Sequence, residues 1–103
     1  MEMHQIRYFL ALSSELNFTR AAKRCGVSQP SLTNGINSLE RQLGVALFRR
    51  KPRVALTALG SAIEPYLRQI AQTVDDVQAL ASLPRASRPS FPASTTQRAR
   101  HPD

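Results

Sequence analysis

FTRAAKRCGVSQPSLTNGINSLERQL, residues 18 to 43, holds two helical patterns separated by a turn too tight for any other element. Phe18, Ala21, Ala22 and Cys25 fall on one side of the first, and Asn17 stands before it as an N-cap whose side-chain oxygen takes a free backbone N–H. Gly26 ends it in the left-handed conformation that glycine adopts without steric cost. The second helix opens on Ser28 as N-cap, with Pro30 in the first turn and Val27 stapled to Leu32. Leu32, Ile36, Leu39 and Leu43 then form one apolar stripe, in steps of four, three and four. Gln29, Thr33, Asn34, Asn37 and Arg41 make the other side, a set of amides, hydroxyls and a guanidinium suited to base edges and phosphates. Two helices so joined read as a helix-turn-helix, in which the second helix enters the major groove of double-stranded DNA.

The rest of the chain supports that stretch. With 103 residues it is long enough for a three- or four-helix core and too short for a large two-layer enzyme. Its net charge of +7 is unevenly spread. Residues 1–56 carry +6, and residues 57–83 carry −2. The first segment suits a polyanion and the second does not, although a basic surplus alone is equally a solvated surface. Cys25, the single cysteine, lies among apolar residues and reads as a small core residue. No apolar run approaches a membrane span, so a cytoplasmic protein with no membrane partner is expected.

Residues 3–15 are predicted to form a first helix that packs through Ile6, Phe9 and Leu10. Past Gly44, the runs Val45–Phe48 and Val54–Leu56 flank RRKPR and predict a β-hairpin wing. Its exposed tip of Arg49, Arg50, Lys51 and Arg53 is either a solvated loop or a contact to phosphates or the minor groove. Thr57 caps a long helix over 58–81, about 36 Å at ~1.5 Å per residue. Ile63, Leu67, Ile70, Val74, Val77 and Ala81 form a coiled-coil-like stripe along it, which either folds back on its own domain or pairs with a second chain. Pro65 is expected to bend or open its first turns. From Pro84 the chain is rich in Pro, Ser and Arg and reads as disordered. The expected organisation is therefore a winged helix-turn-helix over 1–57, a linker or dimerisation helix over 58–81 and a disordered tail over 82–103. The fold class is mainly α, with a small β-hairpin wing.

The motifs NFTRAA, VSQPSLT, LE-x-x-LG-x-x-LF and LT-x-x-G, at these spacings between Met3 and Val77, closely resemble the N-terminal DNA-binding domain of the LysR-type transcriptional regulators. The resemblance implies a winged module used in pairs to activate or repress bacterial genes. It also implies DNA contacts from Thr19 and Arg20, from Ser28, Gln29, Pro30, Ser31 and Thr33, and from Arg50 and Arg53 in the wing. Three features depart from the family, one of them a wing about a residue shorter than usual. Asn34-Gly35 stands where many members carry arginine, and no two-lobed effector domain follows, so a small-molecule effector site is not expected within these 103 residues.

Two functions follow from these readings. One is sequence-specific DNA binding as a homodimer or a heterodimer, with recognition helices about 34 Å apart. The other is an interaction protein that pairs through its linker helix with a full-length relative. Catalysis, cofactors and metal binding are not expected, since the chain lacks a nucleophile–base set, a phosphate-cradling loop and metal-ligand spacing. His4, the only histidine ahead of the tail, has no second ligand at the required spacing.

Overall fold

The computed structural model describes residues 1–89. The elements run α1 (Met3–Glu15), α2 (Phe18–Cys25), α3 (Gln29–Leu43), β1 (Phe48–Arg49), β2 (Ala55–Leu56) and α4 (Ala58–Ala81), followed by a 3-10 turn at Arg85–Ser87. They fall into two compact units, Met1–Thr73 and a second beginning at Val74. The first unit thus extends beyond residue 57 to take in most of α4.

Local chemistry sets the helix ends. Asn17 Oδ1 accepts from Arg20 N at 2.8 Å and starts α2, and Gly26 closes it at φ 70°. Ser28 Oγ accepts from Ser31 N at 3.2 Å and starts α3. Thr57 Oγ1 accepts from Gly60 N at 2.9 Å and donates to Ala46 O at 2.8 Å, so one hydroxyl caps α4 and ties it to the segment that leads into the wing. The helix runs through Pro65 unbroken.

The core of the first unit is built from Ile6, Phe9 and Leu12 of α1, Ala21 and Ala22 of α2, Leu32, Ile36 and Leu39 of α3, Leu47 and Phe48 at the wing, and Leu67 and Ala71 of α4. Three expectations change. Leu12 is fully buried and Leu10 only half-buried, because α1 turns its Ile6–Phe9–Leu12 line inward. Leu43, at the end of the α3 stripe, is 37% exposed. In α4, Leu67 is 3% exposed and joins the chain's own core, which removes it from the stripe that was to meet a partner. Cys25 is half-buried at the core edge.

The wing is shorter than predicted. Its antiparallel pair has only the register Phe48↔Leu56 and Arg49↔Ala55, so Val45–Leu47 is not strand and Arg49 lies in the ladder instead of the tip. Within the second unit, residues 82–89 of the expected disordered tail carry the 3-10 turn, where Arg88 Nε donates to Leu83 O at 2.7 Å. The remainder of that segment, 90–103, lies outside the described residues.

Two glycines mark close approaches. A Cβ on Gly35 would lie 2.5 Å from the Tyr8 ring, so α1 lays an aromatic side chain over the side-chain-free position of α3. A Cβ on Gly60 would collide with the Leu47 carbonyl oxygen, which is backbone. The two obstacles differ in kind, since a ring can swing about χ1 and a main-chain carbonyl held by Thr57 N at 2.9 Å cannot. Each Gly→Ala change gains about 1 kcal/mol of helix propensity. Overpacking costs roughly 1–3 kcal/mol or more. Gly60→Ala is expected to lower the urea midpoint clearly, and Gly35→Ala to lower it less or not at all.

Candidate nucleic-acid interface

The surface of α3 divides cleanly. Leu32, Gly35, Ile36 and Leu39 are buried, whereas Pro30, Asn34 and Arg41 are exposed and Thr33 and Asn37 half-exposed on the opposite side. At 3.6 residues per turn these five outward positions share one face. The helix begins with Ser28, whose hydroxyl is spent on capping: it accepts from Ser31 N and donates to Ser31 Oγ at 3.0 Å. Ser28 therefore shapes the helix start, while Gln29, Pro30 and Ser31 are exposed there.

Thr19 of α2 donates through Oγ1 to Gln29 Oε1 at 2.9 Å. This contact joins the two motif helices and turns the Gln29 amide so that its NH₂ remains to be offered outward. Arg20 is exposed but lies 3.4 Å from Glu15, which also takes Arg24 at 3.2 Å. At such exposed sites these pairs contribute at most about 1 kcal/mol and exchange readily for another anion.

The wing separates its cations into two classes. Arg49, Lys51 and Arg53 are exposed and form no ion pair among the described residues. Arg50 differs. Its Nη2 donates to Glu40 Oε1 at 2.8 Å, its Nη1 donates to Asn37 Oδ1 at 3.0 Å, and its guanidinium carbon lies 5.5 Å from the centre of the Phe18 ring. The other oxygen of Glu40 accepts from Leu47 N at 2.8 Å and Phe48 N at 3.1 Å. A single carboxylate on α3 thereby fixes the first strand of the wing.

Of the residues predicted to meet DNA, the structure gathers Gln29, Pro30, Ser31, Thr33, Asn34 and Asn37 at or beside the outward face of α3, and joins Thr19 to it. Arg53 stays on the exposed wing. Sequence reasoning gave Glu40 no role, although it is the one acid in the recognition helix and stands in the LE-x-x-LG-x-x-LF motif. It also missed Gln5, 4% exposed, which donates to Ser38 Oγ at 3.2 Å and closes a capping box with Glu2, linking α1 to α3. On a different side, a groove of about 580 Å³ is lined by Arg7, Tyr8, Arg24, Cys25, Val27 and Arg68, among others. Among the described residues no His, Cys, Asp and Glu cluster is able to hold a metal.

Comparison with known proteins bears on this surface. Residues 3–61 match the bacterial regulatory helix-turn-helix proteins of the lysR family. An uncharacterised HTH-type transcriptional regulator of Escherichia coli K12, YnfL, is 45% identical over 82 residues, which is 79% of this chain and 28% of that protein. The regulator IlvR of Caulobacter vibrioides is 43% identical over 76 residues, 73% of this chain and 26% of its own length. The chain thus spans about a quarter of these relatives. Among solved structures, the BenM DNA-binding domain with catB site 1 DNA superposes with a TM-score of 0.75 at 34% identity, covering 79% of this chain and 88% of that one. The CbnR DNA-binding domain in its DNA complex gives 0.68 at 40% identity, covering 79% and 99%.

The single thiol supplies a check on the packing beside α2. Burial pushes the Cys25 pKa above the usual thiol value, and Arg24 only partly offsets it. The folded chain therefore holds this proton to higher pH than the unfolded chain does. The resulting stability is complete below the ordinary thiol pKa and is lost as pH rises through the folded-state value. Near the ordinary thiol pKa, iodoacetamide should alkylate Cys25 more slowly in the native chain than in urea. Equal rates would show that Cys25 is not shielded.

Proposed function

Because this chain belongs to the lysR family of bacterial regulatory helix-turn-helix proteins, we propose that it binds double-stranded DNA sequence-specifically as the DNA-reading module of a transcriptional regulator. The observation that carries the reading is the polar face of α3, opposite its buried stripe and bordered by the unpaired cations of the wing. The start of α3 enters the major groove. There Gln29 offers its NH₂, and Ser31, Thr33 and Asn34 offer short polar side chains to base edges or phosphates. Pro30 brings the backbone close at the first turn, and Arg20 lies beside the phosphates that flank it. Lys51 and Arg53 add phosphate or minor-groove contacts from the wing. Two solved relatives that include DNA, the BenM and CbnR domains, support the assignment by their likeness.

Dimerisation belongs to the same reading. In the first unit Leu59, Tyr66 and Ile70 are exposed on α4, and Ile63 is half-buried. In the second unit Val77 and Leu80 are exposed, and Val74 is half-buried. Along the chain, 63, 66, 70, 77 and 80 keep the three-and-four rhythm of a coiled-coil seam. Exposed apolar side chains in such number favour pairing, either with an identical chain or with a longer regulator of the same family.

Selection of duplexes from a random pool at fixed salt should yield a consensus built of two half-sites. Gln29→Ala should reduce affinity for the selected duplex by ~1–3 kcal/mol. Lys51→Ala or Arg53→Ala should weaken all duplexes alike and flatten the salt slope by about one each. A chain that recovers no consensus would end the specific-binding reading. Tyr66→Glu with Ile70→Glu should leave the helical signal intact and convert a dimer to a monomer in sedimentation. A wild-type chain that is monomeric at every concentration, alone and mixed with a longer relative, would end the pairing.

A further inference from the structure

We propose that Arg50 is a positioning residue that acts through Asn37 with Glu40 as its anchor, and that the Asn37 amide nitrogen, not the Arg50 guanidinium, is the group offered to DNA. The inference rests on α3 being the DNA-facing helix.

Arg50 is the wing cation that a comparison of motifs would first assign to a phosphate. Its surroundings point elsewhere. The side chain is 35% exposed and Glu40 is 16% exposed, so the carboxylate is largely sheltered and the guanidinium partly so. Both terminal nitrogens of the guanidinium are engaged, one with Glu40 Oε1 at 2.8 Å and the other with Asn37 Oδ1 at 3.0 Å, and Phe18 covers it. Its Nε is buried and has no hydrogen-bond partner. Each terminal nitrogen keeps one further N–H, but turning the fork outward to grip a phosphate with both would take Arg50 from a carboxylate that also holds Leu47 N and Phe48 N. That carboxylate would remain half-buried and unpaired, which is unfavourable. The pair is also electrically neutral, so it displaces little of the counterion atmosphere of DNA. Lys51 and Arg53, exposed and without ion pairs, are the cations able to do so.

The consequence for Asn37 comes from hydrogen-bond chemistry. A guanidinium only donates, so the Asn37 oxygen must face Arg50. The amide cannot flip without setting one NH group against another. Its NH₂ is therefore turned from Arg50, on the same helical face as Pro30, Thr33 and Arg41. The group presented is a neutral donor of fixed direction. It matches an acceptor on DNA: a phosphate oxygen, or a base-edge acceptor such as purine N7, guanine O6 or thymine O4.

The test compares wild type, Asn37→Ala, Arg50→Met, the double variant and Arg53→Ala, on a selected duplex and on a random one, across a salt series. Asn37→Ala and Arg50→Met should each lose about three- to tenfold in affinity, the range expected for one neutral hydrogen bond. The double variant should lose no more than the worse single, because both remove the same contact. Neither Asn37→Ala nor Arg50→Met with Glu40→Gln, which keeps the net charge of the pair at zero, should alter the salt slope, whereas Arg53→Ala should lower it by about one. If the acceptor is a phosphate, the Asn37→Ala loss is equal on every duplex. If it is a base, the loss is confined to duplexes carrying one base at one position. Arg50→Met leaves Glu40 unpaired and is open to misfolding, so Arg50→Met with Glu40→Gln accompanies it. The Gln oxygen still accepts the two wing amides, and thermal unfolding verifies each fold.

A salt slope lowered by about one in the charge-balanced variant, Arg50→Met with Glu40→Gln, or losses that multiply in the double variant, would make Arg50 a direct phosphate contact and overturn the proposal. So would wild-type affinity in Asn37→Ala. Those outcomes differ from a failure of the DNA-facing assignment itself, in which the wild-type chain would prefer no duplex and Gln29→Ala would change nothing.

Discussion

The Glu40 carboxylate is the constraint on which the surface of the domain depends. One acidic group in the last turn of α3 accepts two backbone N–H groups from the approach to the wing and an arginine from its far side. A two-residue ladder cannot hold a wing in place by itself, since an isolated hairpin is marginal in water even with longer strands. The wing is instead carried by α3, with Leu47 and Phe48 buried beneath the same contact. Any motion of the recognition helix therefore takes the strand with it, and the polar face and cationic tip form one surface instead of two independently mobile parts.

A second tier of contacts supports the start of the motif. The Ser28 cap fixes the first turn of α3, and the Thr19–Gln29 and Gln5–Ser38 bonds tie α3 to its two neighbouring helices. Individually such bonds contribute only about 0.5–1.5 kcal/mol. Their larger effect is orientation, because each leaves a particular donor or acceptor free and turned in one direction. Much of the chemistry at this surface is thus decided by residues that need not touch a ligand.

Whatever depends on neighbours along the chain was legible beforehand. Asn17, Ser28 and Thr57 announce helix starts by their own capping chemistry, Gly26 and Gly44 announce helix ends, and α2, α3 and the start of α4 follow from those signals, while α1 follows from its apolar spacing. What depended on packing between elements was not legible. The apolar residues of α4 cover about half of its circumference, so periodicity alone did not distinguish the line through Leu67 and Ala71, which faces inward, from the line through Leu59, Tyr66 and Ile70, which does not. The overlooked cue was the small residue Gly60 on the inward line, where α4 meets the Leu47 carbonyl. Charge was similarly ambiguous. RRKPR reads as four equivalent cations, yet a carboxylate ten residues earlier in the chain makes Arg50 unlike the others.

Gly35 began as a blemish in a recognition helix, and the Tyr8 ring lying over it gives that blemish a history. Positions 8 and 35 share one volume, so their substitutions are contingent on each other. A lineage that acquires a side chain at 35 while keeping tyrosine at 8 must displace the ring, whereas one that first shrinks residue 8 opens room for almost any residue at 35. The order of two changes, and not their sum, then decides which side chains the contact between α1 and α3 is able to admit.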